Sequence, residues 1–184
     1  LSPTSPLNAV KRHPEYYFKD GDLYFLVGTT NFCVHSYFFA RDSTQFRNEL
    51  SACPSVGELP KGSKDSAIQL ERATADEFAS FLWTYYNRKF DDYSAADVAT
   101  WTGIIKVAFE YDFPAVKDFA IRGLESKFEI APADRISLYR KYKADKKYLT
   151  PLFLKMIQRE EWPSNDEIDI LGHDATTLIS RARE

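Results

Sequence analysis

The sequence feature that most constrains the fold is a pair of short apolar strands joined by a turn. Residues 22–27 (DLYFLV) are rich in the aromatic and branched residues that favour strands. Residues 28–31 (GTTN) are a turn cluster, and residues 32–35 (FCVH) are a second strand-favouring run. The close spacing predicts a β-hairpin near the start of the chain.

Helical and loop signals follow the hairpin. Asp42-Ser43 can provide an N-cap that opens a helix. Residues 53–66 combine two Pro with two Gly and are predicted to form an exposed loop. Residues 68–70 (IQL) are predicted to be a short strand.

The middle of the chain carries three strong helix-start signals. Thr74-x-x-Glu77 is a capping box before an apolar stripe, and Ser94-x-x-Asp97 is predicted to open the next helix. Pro114 stands where the first position of a third helix is expected. Together these signals predict a cluster of helices after the lone strand.

The tail is also predicted to be helical. Thr150-Pro151 is expected to be a cap followed by a first-position proline, and Ser164-x-x-Glu167 is a further capping box. Gly172 is expected to stop the helix that this box begins. The tail carries a large apolar set that we expect to pack on the preceding domain, formed by Leu152, Phe153, Met156, Ile157 and Trp162.

Composition narrows the class of protein. The 184 residues include 14 Phe, 11 Tyr and 3 Trp, enough for a sizeable core, which argues against wholesale disorder. Lys and Arg number 24 against 27 Asp and Glu, and the resulting net charge of −3 disfavours non-specific nucleic-acid binding. Two cysteines, Cys33 and Cys53, do not make a disulfide framework. We therefore expect an intracellular protein of the cytoplasm, the nucleus or both, without a membrane span.

The element order predicts an α+β fold: a small β-sheet with a helical cluster, followed by an all-helical C-terminal extension. We expect a loose N-terminal tail over residues 1–12, a domain over 13–130, and the helical extension over 131–184, packed on that domain.

This pattern resembles the BTB/POZ domain. The shared features are an aspartate before a hydrophobic strand, a turn, F-x-V-H, a short helix and S-x-x-F-R. The whole chain is similar to BTB-domain proteins of mushroom-forming fungi, in which motifs like HPEYYFKDGD, FLWTYYN and WTGIIKVAFEYDFPAVKDFAI recur in this order. The resemblance covers roughly residues 13–184 and implies a fold that binds proteins and has no catalytic site.

The sequence carries no pattern typical of an enzyme. It has no G-x-S-x-G, no P-loop and no G-x-G-x-x-G, so we expect no catalytic residues and no cofactor. His35 and Cys33 share a strand face, but two candidate ligands are too few for a zinc site, so no metal is expected. The resemblance implies that His35 is structural, buried and hydrogen-bonded at the strand–helix junction.

The resemblance also implies candidate interface residues. The two short helices after the hairpin commonly form a dimer surface in this family, where Tyr37, Phe38, Arg41 and Phe46 stand here. Among these, Phe38 and Phe46 are expected to contribute more to the core. Asp22 matches the strand-opening aspartate of a charged pocket at the dimer floor.

Two matches with family features are partial. The basic residue that follows the histidine in the family's charged pocket is replaced here by Ser36. Some members bind cullin scaffolds through a hydrophobic-x-Glu motif. Val56-Gly57-Glu58 matches this motif in residue types and in position along the chain.

We therefore expect a non-catalytic protein–protein interaction domain that serves oligomerisation or scaffolding, as a homodimer or hetero-oligomer. The alternative is a substrate adaptor for a cullin-type ubiquitin ligase. A second alternative is a nucleic-acid-associated regulator that acts through residues 135–147, where basic residues and tyrosines alternate. A solvated helix face explains the same segment without nucleic acid.

Overall fold

The computed structural model describes residues 10–184. Within that range it contains a four-stranded open sheet and eight helices, which confirms the expected α+β class. The elements are β1 Lys11–Tyr17, β2 Leu23–Val27, β3 Thr30–Val34, α1 Ser36–Asp42, α2 Thr44–Ser51, β4 Ile68–Gln69, α3 Ala75–Tyr86, α4 Val98–Glu110, α5 Pro114–Lys127, α6 Pro132–Lys141, α7 Lys146–Gln158 and α8 Asn165–Arg183.

The predicted hairpin is confirmed. Strands β2 and β3 pair antiparallel, with Leu23 opposite Val34 and Val27 opposite Thr30. The two-residue turn begins with Gly28, whose φ of +58° is a conformation that glycine adopts without a steric penalty. Strand β3 begins at Thr30, directly after the turn and two residues earlier than the sequence pattern suggests.

Strand β1 lies at one edge of the sheet, whose order is β1-β3-β2-β4. It pairs parallel with β3 through Arg12 opposite Asn31 and Tyr17 opposite Cys33. Five residues of β1 therefore match two of β3, which leaves three extra residues in a bulge. The predicted loose tail spans residues 1–12, and residues 1–9 of it lie outside the described residues. The last two residues of the predicted tail, Lys11 and Arg12, belong to β1, so the expectation of a loose tail is wrong for them.

His13 holds the bulge. Its Nδ1 atom accepts hydrogen bonds from the backbone N–H groups of Glu15 and Tyr16, at 3.2 and 3.0 Å. Its ring stacks on Tyr16 and on Phe32, with ring centroids 5.1 and 4.7 Å away. One side chain thus replaces the partners that two backbone donors lose in the bulge.

Aromatic side chains fill the core between the sheet and the helices. Every second residue of β2 is buried, and Phe25 at its centre is fully buried. Its ring centroid lies 4.9 Å from that of Phe39, 5.5 Å from that of Phe46 and 5.1 Å from that of Phe78. Burying each such ring stabilises the fold by about 1.5–3 kcal/mol.

Several predicted helix boundaries are confirmed. Both halves of the capping box are present at Thr74–Glu77 and again at Ser164–Glu167. Pro114 is the first residue of α5, as expected. Gly172 interrupts α8 with a φ of +73°, so the helix has two parts that meet at this glycine.

Two predicted helix starts are wrong. Asp97, not Ser94, caps α4, because the Asp97 carboxylate accepts the N–H of Thr100 at 2.7 Å. The Ser94 N–H instead bonds the Asp92 side chain at 2.9 Å, within a turn.

Pro151 lies inside α7 and does not begin a helix. The helix starts earlier because Asp145 caps it, accepting the N–H of Lys147 at 2.8 Å. A proline this near the start removes one backbone hydrogen bond but leaves the following turns intact.

The chain divides into two compact units, one ending at Ile121 and the other spanning Arg122–Glu184. In the second unit α6, α7 and α8 contact one another. Of the apolar set predicted in the tail, Leu152 and Met156 are buried, whereas Trp162 is 60% exposed. The expectation that Trp162 is buried is wrong, because its ring lies under the Arg183 guanidinium, 4.7 Å away, at the surface. Packing of the extension on the preceding domain stays a prediction.

Candidate protein-interaction surface

The candidate surface is built on the junction between β3 and α1. Asp22 precedes β2, and its carboxylate accepts the Ser36 N–H at 2.7 Å and the Ser36 hydroxyl at 2.6 Å. Ser36 is the first residue of α1, so the Asp22 carboxylate caps that helix from the position just before β2. Partial burial alone would raise the pKa of Asp22. The hydrogen bonds from Ser36 nevertheless hold that pKa below its usual value.

His35 stands immediately before α1 and is held by Tyr86 from the end of α3. The Tyr86 hydroxyl oxygen accepts the His35 backbone N–H at 3.1 Å and lies 3.0 Å from Nδ1. Nε2 lies 3.5 Å from a carboxylate oxygen of Asp20. The histidine is thus hydrogen-bonded at the strand–helix junction, but its side chain is 32% exposed, so it is less buried than expected.

Three residues of α1 form a surface that we call the Tyr37 surface: Tyr37, Phe38 and Arg41. Tyr37 is 64% exposed, and Phe38 is half-buried. The Arg41 guanidinium carbon lies 5.3 Å from the centre of the Tyr37 ring and 5.5 Å from that of Phe38. The guanidinium therefore covers both rings in cation–π contact.

Asp42 and Tyr85 fix the position of Arg41. Two nitrogens of Arg41 donate to the two carboxylate oxygens of Asp42, at 2.7 and 2.6 Å. The Tyr85 hydroxyl donates to the same carboxylate at 2.9 Å. The hydrogen bonds from Arg41 lower the pKa of Asp42 most, and the hydrogen bond from Tyr85 lowers it further. Arg41 is consequently a fixed positive charge at the edge of an exposed aromatic patch.

Phe46 does not belong to this surface. It is 1% exposed, and its ring packs against Phe25, Phe39 and Phe113 with centroids 5.3–5.8 Å away. The structure therefore confirms it as a core residue and removes it from the interface candidates. Phe38, also expected in the core, is only half-buried; the residue that fills the core from α1 is Phe39, whose side chain is fully buried.

Val56 and Glu58 lie in the exposed loop between α2 and β4. The Val56 side chain is fully exposed, so it does not contact the Tyr37 surface. Glu58 closes a tight turn with Ser55: its N–H donates to the Ser55 carbonyl at 2.9 Å, and its carboxylate accepts the Ser55 N–H at 3.3 Å. The structure thus presents these two residues as a separate group.

Four residues hold the Tyr37 surface and the adjoining His35 junction in place, and the sequence did not predict this role for any of them: Asp20, Asp42, Tyr85 and Tyr86. Asp42 was expected only as part of an N-cap. The available signal was the Tyr85-Tyr86 pair at the end of α3, because buried tyrosines need a hydrogen-bond partner. Their partners are 43 and 51 residues away in sequence, beyond the reach of a local pattern.

In the second unit, the basic segment of residues 135–147 is partly engaged in internal contacts. Arg135 forms an ion pair with Glu125, which also accepts the Tyr139 hydroxyl at 2.6 Å. Arg140 donates to the Leu171 carbonyl at 3.2 Å. These contacts give both arginines of the segment, Arg135 and Arg140, a structural role within the unit.

The described residues do not form a metal centre. Among residues 10–184, no group of three or more His, Cys, Asp or Glu side chains is arranged to hold a metal ion. No helix there combines the length and the apolar character required to cross a bilayer. Neither models of known protein families nor curated proteins give a match to this chain.

Proposed function

We propose that this chain is a non-catalytic protein–protein interaction domain of the BTB/POZ type with a helical extension, serving oligomerisation or scaffolding. The order of hairpin, two short helices, a lone strand and a helical cluster supports this assignment. So do the F-x-V-H and S-x-x-F-R segments, which stand at the β3–α1 junction and at the start of α2.

The observation that carries the proposal is the Tyr37 surface. A tyrosine ring that is 64% exposed leaves apolar area in water, and a partner that covers it gains about 25 cal/mol for each Å² buried. Arg41 stands beside the ring as a fixed charge, so a partner also meets a directional hydrogen-bond donor. Tyrosine and arginine are enriched among the residues that dominate binding energy in interfaces.

Multi-angle light scattering of the chain across micromolar concentrations tests self-association through this surface. We expect a homodimer, and we expect Tyr37→Ser to weaken it at least about tenfold, which corresponds to about 1.4 kcal/mol. Phe90→Ser is the matched control, because Phe90 is also an exposed aromatic residue (85%) but lies in the loop after α3, outside the Tyr37 surface. A strict monomer at tens of micromolar would contradict the homodimer, and equal effects of both substitutions would contradict its placement on the Tyr37 surface.

The adaptor alternative is supported by one observation, the turn that presents Val56 to solvent beside Glu58. An apolar side chain at the tip of a loop, next to a carboxylate, suits a partner with an apolar pocket and a basic rim. Binding to a cullin N-terminal domain distinguishes this alternative from a general interaction module.

A further inference from the structure

The imidazole of His13 is placed so that its protonation state decides the hydrogen bonding of the β1 bulge. Its Nδ1 atom accepts the backbone N–H groups of Glu15 and Tyr16, at 3.2 and 3.0 Å. A backbone N–H can only donate, so Nδ1 carries a lone pair and the neutral ring has its proton on Nε2. The bulge therefore depends on a nitrogen whose charge changes in the physiological range of pH.

Protonation removes this acceptor. A proton taken from solvent binds the lone pair of Nδ1, and both ring nitrogens of the resulting imidazolium are donors. The new Nδ1–H then points at two other donors, so the ring must turn about its χ2 bond or leave its place. In either position the N–H groups of Glu15 and Tyr16 lose the acceptor that they share.

Solvent can deliver that proton while the chain stays folded. His13 is half-buried, and it lines an open depression of about 390 Å³ between β1 and α3. Its ring stacks on Tyr16 and Phe32, so only part of its surface is covered. The imidazole is thus packed well enough to hold the bulge and open enough to exchange protons.

Among the described residues, three charged groups act on the imidazole: Lys11 and Glu15 of β1, and Asp76 at the start of α3. Burial is the largest effect and lowers the pKa of His13 below its ordinary value of 6.5. Lys11 lowers it further, and the two carboxylates oppose the shift without cancelling it. Tyr16 also touches the ring, but burial raises its pKa to about 12, so it stays neutral.

The sign of the coupling to pH follows from this direction. A histidine whose pKa is lower in the folded chain than in the unfolded chain stabilises the fold fully above pH 6.5. That contribution is lost as the pH falls through the lowered pKa of His13. The bulge is therefore closed near neutral pH and strained in acid.

The strand pairing next to the bulge depends on it. On one side the Lys11 N–H donates to the Thr29 carbonyl at 2.9 Å, and on the other the Phe18 N–H donates to the Cys33 carbonyl at 2.8 Å. The bulge sets the length of chain between these two bonds, so its opening loosens both.

We propose that His13 is an acid-sensitive switch in the edge strand β1. Uptake of a proton at Nδ1 releases the N–H groups of Glu15 and Tyr16, opens the bulge and loosens the pairing of β1 with β3. The switch is separate from the Tyr37 surface and does not depend on the proposed dimer.

A pH titration of the ¹⁵N- and ¹³C-labelled full chain by NMR tests the switch, from about pH 8 to about pH 5. The readouts are the His13 ring, the Glu15 and Tyr16 amides, and the hydrogen-exchange protection of the Phe18 amide, corrected for the intrinsic effect of pH. We expect the ring and the two amides to titrate together, with one midpoint below 6.5. Protection of the Phe18 amide should fall about tenfold across that midpoint, because two hydrogen bonds are lost.

Two matched substitutions assign the effect to His13. His13→Asn keeps a side-chain oxygen that can accept the same backbone N–H groups but does not titrate, so the Glu15 and Tyr16 amides should stay in place over the whole range. His173→Asn makes the same change at an exposed histidine of α8, and it should leave the titration of these amides as in the parent chain.

Four results on the parent chain would each overturn the proposal. They are Glu15 and Tyr16 amides that stay in place while the His13 ring titrates, a midpoint at or above 6.5, no titration of His13 down to about pH 5, and unchanged protection of Phe18. Amides of His13→Asn that move as in the parent would overturn it as well. Since the first four results need no variant, the test holds even where a substitution prevents folding.

Discussion

The hydroxyl oxygen of Tyr86 accepts the backbone N–H of His35 at 3.1 Å and lies 3.0 Å from Nδ1 of the same residue. The other ring nitrogen, Nε2, lies 3.5 Å from a carboxylate oxygen of Asp20. One phenol therefore ties the end of α3 to the start of α1 through the histidine between them.

Tyr86→Phe should destabilise the fold by about 1–2 kcal/mol, because it leaves a partly buried backbone N–H and Nδ1 without their partner. Chemical denaturation followed by circular dichroism measures the change. Tyr17→Phe is the control, since it removes a half-exposed hydroxyl at the sheet edge, and we expect it to stay within about 0.5 kcal/mol of the parent. Equal stability of the two variants would mean that the Tyr86 hydroxyl contributes nothing to the junction.

The Arg159 guanidinium donates hydrogen bonds to both carboxylate oxygens of Glu167, at 2.7 and 2.5 Å. This ion pair should make the stability of the fold depend on pH in the acid range. The paired hydrogen bonds from Arg159 lower the pKa of Glu167 from 4.5 to about 2. A lowered carboxyl pKa stabilises the fold above pH 4.5, and the contribution is lost as the pH falls towards 2.

Glu167→Gln isolates this charge, because glutamine keeps the capping box. We expect the variant to be about 1–2 kcal/mol less stable at pH 7, with the difference shrinking between pH 4.5 and pH 2. Parallel denaturation curves of the parent and the variant at several pH values measure it. A difference that stays constant down to pH 2 would exclude ionisation of Glu167 as its cause.

Deleting residues 1–12 should lower stability by about 1–2 kcal/mol, because the deletion removes the start of β1. The lost contacts include the Lys11 N–H bond to the Thr29 carbonyl at 2.9 Å and the Arg12 guanidinium 4.6 Å from the centre of the Tyr17 ring. Thermal melting of the deletion measures the effect, with deletion of residues 1–9 as the matched control. An unchanged melting temperature would show that these contacts are dispensable.

The adaptor alternative makes a prediction for one loop. If Val56 and Glu58 contact a cullin scaffold, Val56→Asp and Glu58→Lys should each weaken binding to a cullin N-terminal domain at least tenfold, about 1.4 kcal/mol. Isothermal titration calorimetry measures the affinities, and Asp65→Lys serves as a charge-change control in the same loop. Absence of binding by the parent chain at tens of micromolar would eliminate the adaptor and leave the general interaction module.

The parts of the fold that follow from local chemistry were predictable. The hairpin follows from two strand-favouring runs around Gly28, and the capping boxes at Thr74 and Ser164 each use residues three positions apart. The start of α7 was missed because the Thr150-Pro151 signal competes with Asp145, whose carboxylate already caps the chain five residues earlier. A local pattern cannot decide between two caps when both are chemically sound.

The candidate site was less predictable, because packing decides which aromatic residue of α1 faces inwards. Phe38 and Phe39 are adjacent and chemically identical, yet only Phe39 meets Phe25 and Phe113 in the core. The position of Arg41 depends on Asp42 beside it and on Tyr85 from α3, which no local periodicity links to it. The Tyr37 surface could therefore be located from the sequence, but not the contacts that hold it.

The bulge that His13 holds in β1 restricts how copies of this chain can join. An exposed edge strand normally offers evenly spaced donors and acceptors to any other extended chain. Here three extra residues, with Pro14 among them, interrupt that spacing, and the histidine ring occupies two of the donors. Addition of a further strand at the β1 edge is thereby disfavoured, which protects this edge from the repeated strand addition that leads to fibres.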